Sequence, residues 1–303
     1  MLLSNKTIVI VAGPTAVGKT AVAIQLAKHF KTEIISADSR QCFKELHIGV
    51  ARPSEDELNE VTHHFIASHS VQQEMTAAIF EKYALNKATE LFEQNDLVIL
   101  VGGTGLYINA FCEGLDPIPA IDPLIREKII HAYSANGINW LQEQLHKKDP
   151  LFSSTGEMQN PQRMMRALEV VESTGVSILS FRKTDKAKRD FHVLKIGIEL
   201  PKEILNQQIN ARVEKMMEHG LLEEVKGLVQ FKKLNALQTV GYAELFDHLD
   251  GNSSLEKAVD KIKIATRQYA KRQLTWFRKD KEVQWFTPFQ VKEMIEAVKT
   301  SGR

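Results

Sequence analysis

The strongest constraint on this chain lies in its first thirty residues. Thr7–Ala12 (TIVIVA) is an unbroken apolar and β-branched run, ended by Gly13-Pro14. A run without alternation reads as a strand buried on both faces. Lys19–Phe30 follows, with Val22, Ala23, Leu26, Ala27 and Phe30 at helical spacing. Between them Gly13, Pro14, Thr15, Ala16, Val17, Gly18, Lys19 and Thr20 fit G-x-x-x-x-G-K-[ST]. Such a loop turns backbone N–H groups inward around an anion, and the helix start adds a positive dipole end. Lys19 supplies a point charge to terminal phosphates, and the Thr20 hydroxyl is placed to ligate Mg²⁺. The strand before and the helix after make a chance match remote. The loop selects linked phosphates and leaves open what carries them, ATP included.

Further strands are expected at Glu33–Ala37, Leu97–Val101 and Val193–Leu200, with a long amphipathic helix at Met75–Phe92. Strands alternating with helices imply right-handed crossovers, hence an α/β fold: a P-loop parallel sheet covered by helices. After Gly114 the texture changes. Asp116-Pro117-Ile118-Pro119 is a stiff linker, and the patterns from Asp122 onward are helical, broken at Asn136-Gly137, Asp149-Pro150 and Thr174-Gly175. The expectation is a core of residues 1–115 and 191–303 with a helical insertion domain, 116–190. A length of 303 residues suits two domains. Ser253–Arg278 is the longest helical pattern, opened by Ser-Ser-Leu-Glu cap chemistry.

Asp38 follows the second strand, on the rim where ligands of open α/β sheets gather. It is either a site residue, a general base or a metal contact through water, or the N-cap of the next helix, and spacing weighs site and cap evenly. The strand Leu97–Val101 runs into Gly102-Gly103-Thr104-Gly105 with no acid, where many P-loop NTPases carry a Mg²⁺-holding Asp. Glycines there allow close backbone approach, and Thr104 offers a hydroxyl.

The 39 Lys and Arg nearly balance 38 Asp and Glu, which excludes a uniformly basic nucleic-acid coat. Bases are nonetheless concentrated. Lys263, Arg267, Lys271 and Arg278 share one helical stripe. Arg163 and Arg166 follow the Asn160-Pro161 helix start, and Arg182, Lys183, Lys186, Lys188 and Arg189 form a third group. Three such groups support a localised polyanion-binding face. Two distant cysteines exclude a disulfide framework and a Cys-based zinc site. Adjacent His63 and His64 point to opposite faces of an extended segment and read as structural. No apolar stretch is long enough to span a membrane, so a cytoplasmic protein, working as a monomer, is expected.

Taken together the motifs resemble those of the bacterial tRNA dimethylallyltransferases, the tRNA isopentenyltransferase family. GPTAVGKT, SADSRQ, VGGTGLY, NPQRMMRALEV, QTVGYAE and ATRQYAKRQLTWFRKD occur in the family's order over nearly the whole chain. The resemblance implies transfer of a dimethylallyl group from dimethylallyl diphosphate to the exocyclic amine of the adenosine 3′ of the anticodon. It implies Mg²⁺ as cofactor and the tRNA anticodon stem-loop as partner. Residues 13–20 would hold the diphosphate. Asp38, Thr104 and Arg212 would be catalytic. Asp38, Ser39, Arg40, Gln41, Thr104 and Arg126 would meet the RNA. So would Gln162, Arg163, Met164, Met165 and Arg166, and Gln238, Thr239, Val240, Gly241, Tyr242 and Ala243. The last segment is often flanked by basic residues in the family, where this chain has Gln238 and Ala243.

A P-loop small-molecule or nucleotide kinase shares the loop and can share the acid after the second strand. The basic C-terminal half and the missing acid after Val101 count against it. An adenylate isopentenyltransferase would use the same donor with a free nucleotide, and a non-catalytic RNA-binding NTPase would leave the base unaltered.

Overall fold

The computed structural model describes residues 6–182 and 185–301. The chain forms two compact units, Met1–Glu113 with Lys188–Arg303, and Gly114–Ala187. In the first unit the order is β1 (Thr7–Ala12), α1 (Lys19–Phe30), β2 (Ile34–Ser36), α2 (Glu55–Glu60), β3 (His63–His64), α3 (Ala77–Leu91), β4 (Leu97–Gly102) and α4 (Gly105–Glu113). The second unit carries α5 (Pro123–Lys148), α6 (Pro150–Thr155) and α7 (Pro161–Thr174). The chain then returns to the first unit with β5 (His192–Ile198), α8 (Lys202–Glu218), α9 (Leu221–Gly227), α10 (Tyr242–Leu249), α11 (Leu255–Phe277), β6 (Gln284–Phe286) and α12 (Val291–Ser301).

The sheet is parallel throughout, in the order β3-β2-β4-β1-β5-β6. All six residues of β1 are buried, as its unalternating sequence requires. Ile8 and Ile10 join one apolar cluster, Val9 and Val11 the other, so each face of the central strand has its own core. The edge strands β3 and β6 have two and three residues, too short to show as periodic patterns. β6 is the addition the sequence did not suggest. It is held by pairing to β5 and by Trp285 filling the space above Gly197.

The helix starts follow local chemistry. Ser54 and Glu57 form a capping box on α2, and Thr76 and Ser254 cap α3 and α11. In the second unit Asp149 and Asn160 cap α6 and α7, each followed by proline. The span α5 is two helical segments that meet at a kink at Gly137, whose φ of 73° is non-helical, at the Asn136-Gly137 break expected from the sequence. This unit has its own core, including Ile129, Leu141, Leu145, Phe152 and Leu168. No described helix is long and apolar enough to cross a membrane.

Candidate functional site

The phosphate loop leaves β1 through Gly13, whose hypothetical Cβ would lie 2.5 Å from the Ile198 carbonyl oxygen, so only glycine fits. Ala16 and Gly18 take positive φ, 66° and 95°, and wrap the chain back onto α1. Gly18 caps α1 with no side-chain hydrogen bond, which leaves the first N–H groups of the helix open to an anion. Lys19 Nζ donates to the Pro14 carbonyl at 2.7 Å and so sits over the loop. Burial, then the Arg212 charge, lower its pKa to about 8 against the opposing pull of Asp38. Arg212 reaches the same loop, with Nη1 3.5 Å from Thr15 Oγ1. Burial lowers the Arg212 pKa from its ordinary value.

No helix starts at Asp38, so it is not the helix N-cap the spacing offered; its carboxylate holds a turn instead. Its Oδ1 accepts from the N–H of Arg40 at 2.9 Å and of Gln41 at 3.2 Å. Both backbone bonds fall on Oδ1, and Asp38 lines a cavity of about 520 Å³. Thr15, Arg40, Arg212 and Glu244 give the cavity polar groups, and Val50, Val213, Met216, Val240 and Ile262 give it apolar ones. Ser39 lies on the wall, its N–H donating to Thr104 Oγ1 at 3.1 Å. The segment Gln238, Thr239, Val240, Gly241 and Ala243 lines the opposite stretch, although it lies 200 residues from Asp38 in sequence.

Some implied RNA contacts are corrected by burial. Tyr242 is fully buried and donates its hydroxyl to Glu224 Oε1 at 2.6 Å, so it packs the wall from behind. Glu224 also accepts the N–H groups of His47, Ile48 and Gly49, fixing the turn that carries Gly49, Val50 and Ala51. Gln41 is committed as well, its Nε2 donating to the carbonyls of Val50 and Ala51 at 3.2 and 2.9 Å. In the second unit Met164 and Met165 belong to the core, because they fall on the inward face of α7. Gln162 and Arg163 are on its exposed face, and Arg163 pairs with Glu157. Arg126 and Arg166 converge on the buried carboxylate of Glu169, at 3.9 and 3.2 Å.

The basic stripe on α11 is largely engaged within the protein. Lys263 pairs with Glu214 at 2.9 Å, Arg267 donates to Asn210 at 2.6 Å, and Arg278 pairs with Glu199 at 2.8 Å. Lys271, Arg272 and Lys279 instead border a shallow groove of about 250 Å³ with Thr275 and Trp276. Arg189 bonds Glu81 and the carbonyls of Ala110 and Phe111. Lys183 lies outside the described residues.

The glycines at the end of β4 allow close approach, as the sequence suggested. The groups they admit belong to the protein. A Cβ on Gly102 would lie 2.2 Å from the Ala37 carbonyl oxygen, on Gly103 2.3 Å from Gln273 Nε2, and on Gly105 2.2 Å from Trp276 Nε1. Tyr269 lies close to Thr104. Burial first, then Asp38, raise its pKa to about 12. Three turns of α11 therefore clamp the turn that holds Thr104. The available signal was a glutamine, Gln273, on the apolar face shared by Ile262, Tyr269, Ala270 and Phe277.

No cluster of three His, Cys, Asp or Glu side chains occurs among the described residues. The loop carries the Thr15 and Thr20 hydroxyls, and the Asp38 carboxylate is near enough to act on Lys19. Mg²⁺ binds through one or two protein oxygens, waters and substrate phosphates, so this donor set fits an ion that arrives with a diphosphate.

A family model described as IPP transferase matches residues 41–280. The chain belongs to the IPP transferase family. Its matched part begins just after Asp38, but relatives of this family extend over the phosphate loop as well. A tRNA dimethylallyltransferase from Christiangramia forsetii is 48% identical over 284 residues, 94% of each chain. One from Flavobacterium johnsoniae is 47% identical over 287 residues, 93% of each. The crystal structure of a tRNA isopentenylpyrophosphate transferase from Bacillus halodurans superposes with a TM-score of 0.73 at 34% identity, covering 98% of this chain and 97% of that one. A eukaryotic dimethylallyltransferase described as acting on tRNA shares the IPP transferase fold, at a TM-score of 0.75 and 24% identity over 98% of this chain and 77% of that one.

Proposed function

We propose that this member of the IPP transferase family transfers a dimethylallyl group from dimethylallyl diphosphate to the exocyclic amine of the adenosine 3′ of the anticodon in tRNA. One observation carries the reading: a single cavity joins Thr15 and Arg212, at the phosphate loop, to Asp38, Ser39 and Arg40 at the next strand end. An anion site and a carboxylate on one chamber suit a reaction that expels diphosphate and removes a proton.

The allylic C–O bond breaks, and its electron pair leaves with the diphosphate. The open N–H groups at the start of α1, Lys19 and Arg212 stabilise that charge. The Thr20 hydroxyl would hold Mg²⁺ with the diphosphate, and the ion would supply charge neutralisation there. The adenine amine is a weak nucleophile because its lone pair is delocalised into the ring. Asp38 Oδ2 orients the amine and accepts its proton as the N–C bond forms. The apolar wall of Val213 and Met216 lies within a turn of Arg212 on α8 and suits the hydrocarbon tail of a donor whose diphosphate is held there. The target base leaves the anticodon-loop stack to reach the chamber. A cytoplasmic location follows from the tRNA substrate.

Mass spectrometry of tRNA nucleosides, after incubation with dimethylallyl diphosphate and Mg²⁺, tests the proposal. Adenosine gaining one dimethylallyl group is the expected product. Unmodified tRNA, with phosphate transferred from labelled ATP to a small acceptor, would favour a kinase instead.

A further inference from the structure

We propose that Gln273 is a positioning residue that locks the donor-binding loop to the turn carrying Thr104. The inference rests on the function proposed above. The Gln273 side chain is 6% exposed. Its Oε1 accepts the Thr15 N–H at 2.8 Å, and its Nε2 donates to the Gly103 carbonyl at 2.8 Å. The two partners sit on the loops after β1 and β4, whose strands are direct neighbours in the sheet. No backbone hydrogen bond joins Thr15 to Gly103 among the described residues, so the carboxamide is the link between them.

The chemistry explains the residue type. One buried group must supply a donor at one end and an acceptor at the other, and an uncharged primary amide does both. Glutamate supplies only acceptors, which would oppose the Gly103 carbonyl and add a negative charge beside an anion site. Methionine matches the volume but leaves both backbone groups unpaired in a buried site. Gly103 is glycine because the Nε2 group fills the position a Cβ would take.

The consequence concerns alignment. Thr15 stands on the cavity wall at the phosphate end, and Thr104 fixes Ser39 at the carboxylate end. Gln273 ties the two loops together beyond the last β1–β4 pair, Ala12 with Gly102. Because in-line displacement is sensitive to displacements of about 1 Å, loss of the bridge slows the bound complex rather than weakening its assembly.

The test is single-turnover prenylation of tRNA by Gln273→Met and Gln273→Glu at saturating donor and tRNA. The expected result is a loss of about tenfold to a hundredfold in rate, with tRNA affinity within about twofold of wild type. A purely structural role would lower the melting temperature but spare the rate well below it. A rate within about twofold of wild type in folded Gln273→Met overturns the proposal. If neither variant folds, amide exchange in the wild-type protein decides. A Thr15 N–H protected in the absence of ligand supports the bridge, and exchange as fast as an exposed loop amide overturns it. A wild-type protein that prenylates no tRNA would refute the functional reading, and the Thr15 exchange measurement would still judge the bridge.

Discussion

Replacing Asp38 by asparagine separates the two duties of its carboxylate. Oδ1 accepts the N–H groups of Arg40 and Gln41, at 2.9 and 3.2 Å, and an asparagine carbonyl can accept both. The turn that carries Ser39 and Arg40 therefore survives. The substitution removes the charge and the basic oxygen, and puts an NH₂ donor where the amine proton should go. General-base catalysis is worth about 10²–10⁴ in rate, or roughly 3–5 kcal/mol of barrier. Asp38→Ala is the less informative variant, because it also removes the cap, at about 1 kcal/mol of stability. The assay is single-turnover prenylation at saturating donor and tRNA, with tRNA affinity and thermal melting measured in parallel. The expected outcome for Asp38→Asn is a hundredfold or greater loss of rate with affinity and melting little changed. A rate within about fivefold of wild type would show that the carboxylate is a turn cap and that the proton leaves by another route.

Lys19 has a pKa lowered to about 8, by burial and by Arg212, so it loses its charge as pH rises through that value. Affinity for metal-free inorganic diphosphate, measured by calorimetry, should fall as the pH is raised above about 8; a flat profile would mean that the lysine does not meet the anion. For stability the sign is reversed: a lysine with a depressed folded-state pKa disfavours the folded state below about 8, and that penalty lifts as pH rises toward 10.5. Tyr242→Phe removes a 2.6 Å hydrogen bond to the charged Glu224 and should cost about 1.5–3 kcal/mol in urea unfolding; an unchanged midpoint would show that water replaces the hydroxyl. Among the bases of α11, charge removal at Lys271, Arg272 or Lys279 should flatten the salt dependence of tRNA binding, by about one unit of slope for each phosphate no longer neutralised. The same change at Lys263 or Arg267 should mainly lower stability, since these side chains are engaged by Glu214 and Asn210.

Much of the fold was legible because short-range physics governs it. TIVIVA could only be a strand buried on both faces, and the glycines, lysine and threonine after it could only be a loop opening a helix. The caps at Asn160 and Ser254 worked the same way, since a cap is decided by its own side chain and an N–H two or three residues on. Asp38 was half legible. Spacing placed it on the rim but left helix cap and site equally weighted, and the structure shows a turn held by Oδ1 on a residue that lines the cavity. The methionines of α7 and Tyr242 looked like RNA-facing residues because they lie inside motifs, yet a motif is contiguous in sequence while a helix turns its neighbours to opposite faces.

The sequence by itself determined the central strand, the anion loop and the membership of the IPP transferase family, because each depends on residues close together along the chain. Only the tertiary structure decided the chamber, since its walls draw on Thr15, residues 38–40 and 49–51, Arg212 to Met216, Gln238 to Glu244 without Tyr242, and Ile262 to Arg272. It also decided that the glycines after β4 make room for Gln273 and Trp276 rather than for a ligand. The physical reason is the same in both cases: a cavity or a side-chain bridge belongs to elements brought together by burial across a sheet, and no local pattern records which distant group will arrive.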